Sequence, residues 1–204
     1  YSPQAAGLKD LIFEVRVKDL KESIQKAMPI GKIGDVYFRV FWMFPDQYRI
    51  EVQGLPPGYD ELVRDLKNTI KPMLDYVIPN KIESQIENKK LTLMEKAGAS
   101  VVSVVDPTYT SQASELRLTF SKDMILNELE SLSPAGSVKT EMKYSPKSWS
   151  QNKLVPDKVT AKSGNSAKKT VVTYDLQYVN VAGFGLPEKI KTKTVVSITV
   201  VEKG

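Results

Sequence analysis

Cysteine and histidine are both missing from the 204 residues. Their absence excludes the usual zinc and haem sites, a cysteine nucleophile and a histidine general base. It also rules out a disulfide framework, while leaving the compartment open. Long apolar runs are missing too. A spanning helix needs about 18 or more consecutive apolar residues, whereas Val101–Val105 is interrupted by Ser103 and stopped by Asp106-Pro107. No glycine-rich phosphate cradle occurs. Two carboxylates, Glu128 and Glu130, fall on one face of a strand, and Asp60 and Arg64 share a helix face. Neither pair has a flanking nucleophile, so both read as solvated charge. The expectation is a protein without catalysis, metal or cofactor.

Charge is modest, at +5 from 29 basic and 24 acidic residues. The basic residues are scattered, with adjacent pairs at Lys89-Lys90 and Lys168-Lys169. Nucleic-acid binders cluster such charge beside stacking aromatics, so no nucleic-acid partner is expected. A solvated, mildly basic surface remains, with attraction to anionic membrane surfaces left open. Composition is that of an ordinary globular chain, and the length fits one domain, or two small ones, with a real core; a single domain over 1–204 is expected.

What is present is a repeat. Thr140 to Tyr144, a polar loop and Leu154-Val155-Pro156-Asp157-Lys158-Val159 are echoed by Thr173 to Tyr178, a Gly-containing loop and Leu186-Pro187-Glu188-Lys189-Ile190. Each copy is an extended run ending in Tyr, a connection, and a run carrying Pro, an acid, Lys and a β-branched residue. The pattern predicts two successive β-hairpins of one antiparallel sheet, their difference lying in loop length, which costs little.

Alternation predicts the other strands. In Leu11–Lys18, Phe13, Val15 and Val17 oppose Glu14, Arg16 and Lys18, and Tyr48–Val52 alternates likewise. Residues 35–44 differ. Val36, Phe38, Val40 and Trp42 point one way, and Tyr37, Phe41 and Met43 the other, with Arg39 as the polar exception. A strand apolar on both faces must be covered on both. The cover is read as a helical insert over about 57–88, with Leu62, Val63, Leu66 and Ile70 at helical spacing from an Asp60 cap. Pro72 ends or kinks that helix, and a weaker turn follows at Ile82 and Ile86. From Lys90 onward, regular turn signals bring the total to about eleven strands, a sandwich or barrel. Trp149, in a polar loop, is expected to fold back over the sheet edge.

Gly34-Asp35-Val36-Tyr37-Phe38, followed by Pro45-Asp46-Gln47-Tyr48-Arg49-Ile50, resembles the early strands of the LolA/LolB-type lipoprotein carriers. The closing Leu186-Pro187-Glu188-Lys189-Ile190 is similar to the end of those domains. The resemblance implies an α+β fold: a strongly curved antiparallel sheet or incompletely closed β-barrel of about eleven strands, with a helical lid on its concave face. It implies a periplasmic or cell-envelope protein, its signal peptide removed and a lipid anchor left open, that holds lipid or acylated lipoprotein as partner. The candidate ligand-binding residues are Tyr37, Phe41, Met43, Leu62, Leu66, Ile70, Met73 and Leu74. The alternative is an interaction or sensing scaffold of an envelope complex, in which the same residues fill an ordinary core. If they line a cavity, Leu66→Ala should alter hydrophobic-probe uptake more than stability.

Overall fold

Alternating side chains become strand over most of the chain, and the one long stretch of helical spacing becomes its longest helix. The structure is a computed structural model that describes residues 1–28, 31–79, 82, 86–96, 98–108, 113–134, 136–165 and 167–198. Strand accounts for 54% of it, all antiparallel, so the fold is mostly β, with two helices, α1 and α2, bounded among the described residues. Contacts separate the chain into two compact units, Ser2–Asn80 and Lys81–Gly204, the second joined by Tyr1.

The first unit holds β1 (Asp10–Val15), α1 (Leu20–Ala27), β2 (Tyr37–Met43), β3 (Gln47–Gln53) and α2 (Asp60–Val77). Its three strands pair antiparallel in the order β1-β2-β3. Register places Val40 between Phe13 and Ile50, and Phe38 between Val15 and Val52. These side chains share one face, as a period of two requires. The core forms there: Phe38 and Val40 are buried with Leu66, Ile70 and Leu74 of α2, and with Ile24 of α1. Fully burying each such side chain contributes about 1.5–3 kcal/mol.

Several expectations are corrected. The segment from Leu20 is a complete helix, and β1 stops at Val15, leaving Val17 exposed. Asp60 is the first helical residue rather than the cap. Tyr59 holds the cap position without a side-chain bond, and Asp60 and Glu61 place negative charge where the helix dipole favours it. Pro72 lies inside α2 on its solvent side and does not end the helix. The weaker turn at Ile82 and Ile86 falls largely outside the described residues.

The second unit is a meander. Its strands are β4 (Lys90–Lys96), β5 (Ala99–Val105), β6 (Glu115–Phe120), β7 (Leu126–Ser133), β8 (Gly136–Pro146), β9 (Leu154–Gly164), β10 (Lys168–Val181) and β11 (Phe184–Ile198). They form one eight-stranded sheet in sequence order, with β4 and β11 at its edges. Among the described residues eleven strands are present, but in two sheets rather than one. The helix-bearing connection between β3 and β4 separates two sets of strands that pair only with their sequence neighbours. Among the described residues no closed barrel forms.

The repeat has a structural meaning. In β8–β9, Lys143 faces Lys158 but Tyr144 faces Pro156, so Asp157 is the extra residue of a bulge. In β10–β11, Gln177 faces Lys189 but Tyr178 faces Pro187, and Glu188 is the extra residue. Both copies interrupt the ladder at the same place. Proline, lacking an N–H, fits such an interruption, and each bulge bends and twists its strand. The extra acid is then free for a local partner: Asp157 meets Lys147 at 2.5 Å. Burial pushes the Asp157 carboxyl up, but hydrogen bonds from Lys147 and Ser145 hold it below its usual range.

Candidate functional site

The large sheet has two faces of opposite chemistry, and register shows how far each extends. One row crosses all eight strands as Leu93, Val102, Leu118, Leu129, Thr140, Ala161, Val172 and Thr194. No charged side chain interrupts it. Neighbouring rows add Leu91, Val104 and Leu116 on one side, and Met142, Val159 and Tyr174 on the other. Val104, Leu118, Val159 and Leu176 are buried, whereas Phe120, Leu129, Met142 and Val172 are only half-buried. Leu91 and Leu93, on edge strand β4, are 51% and 66% exposed. On this face the Tyr144 hydroxyl donates to the Leu126 carbonyl at 2.7 Å, and burial pushes its pKa up.

The opposite face is an ion-pair lattice. Arg117 meets Glu115 at 2.8 Å and Glu130 at 3.5 Å, Lys139 meets Glu128 at 2.7 Å, and Lys162 meets Glu141 at 2.5 Å. Hydrogen bonds from Arg117 and then Ser103 hold the Glu115 carboxyl below its usual range, and one from Lys162 does the same for Glu141. These pairs are largely solvated, so each contributes at most about 1 kcal/mol. They keep this face polar, in contrast to the apolar rows opposite.

The eight residues expected to line a ligand surface do not converge. Leu66, Ile70 and Leu74 are buried in the core of the small sheet, Leu62 packs at its margin, and Met73 is half-buried. Tyr37, Phe41 and Met43 lie on the sheet's other face, away from α2. There the Arg16 guanidinium sits 4.4 Å from the Tyr37 ring centroid, and Arg49 and Arg39 sit 4.2 and 5.4 Å from that of Phe41. Such contacts contribute about 0.5–1 kcal/mol at exposed sites. Met43 remains 55% exposed. None of the eight lies in the apolar rows of the large sheet, although Leu116, Leu118 and Phe120 alternate plainly in the sequence.

A concavity of about 560 Å³ opens between α2 and β3 and is lined by Asp46, Tyr48, Ile50, Lys67, Lys71 and Asp75, among others. Burial, then Asp75 and Asp46, push the Tyr48 phenol up to about 12, and burial raises Asp75. Of the eight expected residues only Leu74 lines this cleft.

Trp149 folds back as expected. Its ring stacks edge-on to Tyr1 at 5.0 Å and lies 5.7 Å from Tyr178, the tyrosine of the second bulge. A Cβ at Gly185 would overlap the indole, so only glycine admits this packing. Gly185→Ala should therefore destabilise the second unit by about 1–3 kcal/mol, the usual cost of overpacking. A thermal melt should show the loss, and Trp149→Ala in the same chain should remove most of the effect of the added methyl.

Among the described residues no helix is long and apolar enough to cross a membrane, and no three acidic side chains group as a metal site would require. No family model, curated protein or solved structure matches the chain.

Proposed function

We propose that the chain is a non-catalytic cell-envelope binding protein that holds hydrophobic ligands, such as the acyl chains of lipid or lipoprotein, on the apolar face of its large sheet. One observation carries the reading: the uncharged row from Leu93 to Thr194 crosses every strand, and several of its neighbours are only half-buried. Flexible Met142 and aromatic Phe120 suit a surface that adapts to ligands of variable shape. In this reading the large sheet curls as an incompletely closed barrel, with the paired bulges at Tyr144 and Tyr178 supplying bend. The LolA/LolB-like Gly34–Phe38 and Leu186–Ile190 motifs support a periplasmic location and an acylated partner.

The alternative, an interaction or sensing scaffold, draws on the filled core that α2 makes with Phe38 and Val40. Native mass spectrometry of protein purified from cells separates the two. Adducts in the lipid mass range, lost on denaturation, are expected; a bare mass after gentle purification would favour the scaffold.

A further inference from the structure

Beyond its bulge, β11 presents a regular and uncovered backbone edge. From Lys189 to Ile198 it pairs with β10 in unbroken register, opposite Gln177 to Lys168. No proline interrupts this stretch, and among the described residues no strand lies on its outer side. In an antiparallel pair every second residue turns its N–H and C=O away from the neighbour. Natural sheets blunt such edges by shortness, bulges, proline or charge. Here charge alone is used, of one sign and on one face. Register places Lys189, Lys191 and Lys193 on the polar face, and Ile190, Thr192, Thr194, Val196 and Ile198 on the apolar face. Apart from Glu188 in the bulge, the acid beside these lysines is Asp175, opposite Lys191 on β10, and it already meets Lys158 of β9 at 3.6 Å. On the apolar face Val196 and Ile198 are 49% and 70% exposed, with no further strand to cover them.

We infer that the outer edge of β11 docks an extended acidic peptide segment, which adds to the large sheet as a further strand. The edge supplies main-chain hydrogen bonds, and the side chains on its two faces select the occupant. Successive side chains of an added strand fall on opposite faces. Carboxylates at alternate positions then stand across from Lys189, Lys191 and Lys193, and aliphatic residues between them cover Val196 and Ile198. Opposite charges across a strand pair stabilise it, and like charges destabilise it. That rule disfavours a second copy of the chain. Pairing β11 with its own copy, polar face to polar face, adds lysines and no acid, and edge strand β4 offers Lys90 and Lys96 on its polar face. A nucleic acid has the charge but no peptide groups to continue the ladder. The inference goes beyond the acyl-ligand reading and does not depend on it, since it uses the edge of the sheet and the polar face.

Fluorescence anisotropy of the full chain with a labelled octapeptide that alternates Glu with Thr and Val tests it. Saturable binding is expected at low ionic strength, weakening as salt is added. A peptide of the same composition with its glutamates grouped at one end, and one with proline in place of a central Thr, should each bind at least about tenfold more weakly, because neither can continue the ladder with acids on one face. Lys191→Gln with Lys193→Gln should weaken binding about tenfold, at roughly threefold per cross-strand pair. No binding at low salt, equal binding of the grouped or proline peptide, or an unaffected double variant would overturn the inference. So would full displacement by single-stranded DNA at matched charge, which would mark a general polyanion site instead. Uptake of a hydrophobic probe should be unchanged in the double variant, so loss of docking and loss of the ligand face read out separately.

Discussion

Leu66→Ala is expected to lower stability by about 2–5 kcal/mol and to leave hydrophobic-probe uptake where it was. Leu66 is 8% exposed and belongs to a core closed by Phe38, Val40, Ile70 and Leu74. Truncation there loses transfer free energy and leaves a cavity that the surrounding β-sheet cannot collapse to fill. Neighbouring Ile70, 3% exposed, should behave alike. Urea denaturation with an unchanged slope would show the loss as a lowered midpoint. Had these residues lined a ligand cavity, the expectation would be the opposite, a modest loss with a large change in probe uptake. If that pattern is measured, α2 lines a ligand space after all, and the packed core described here is wrong.

The reversal shows where the sequence stops being readable. Period two in residues 35–44 separates Phe38, Val40 and Trp42 from Tyr37, Phe41 and Met43 with no structure in hand. It does not say which set the helix covers, because both sets are apolar. The answer lies in partners from other strands: Arg16 and Arg49 reach the second set from β1's end and from β3, and a polar cover of that kind is invisible within one strand. The repeat was legible for a related reason. Tyr, Pro, acid and Lys recur in order, so two hairpins could be read off. That the acid is the looped-out residue of a bulge needed the register. Division into two sheets was likewise unreadable, since each strand looks the same whichever neighbour it finds.

Leu129→Lys should weaken hydrophobic-probe binding by at least about tenfold, equivalent to ~1.4 kcal/mol. Leu129 sits mid-row on β7 between Leu118 and Thr140, half-buried, on the face assigned to the ligand. An acyl chain laid along that row would strip water from the new ammonium, and no acid on this face of β6 or β8 could pair with it. Desolvating an unpaired charge costs more than the tenfold floor requires. Without ligand the lysine can bend its stem along the sheet and keep its head in water, so stability should fall by only about 0.5–3 kcal/mol. The matched control is Thr119→Lys. Thr119 faces Glu128 on the wet side of the same strands, so the same charge there gains a partner and should leave probe affinity unchanged. Measured together by probe fluorescence and thermal melting, the two variants separate charge from position. Equal losses in both would mean that net charge alone governs uptake. No loss in either would move the ligand off this face of the sheet, and with it the reading of the chain as a carrier of hydrophobic molecules.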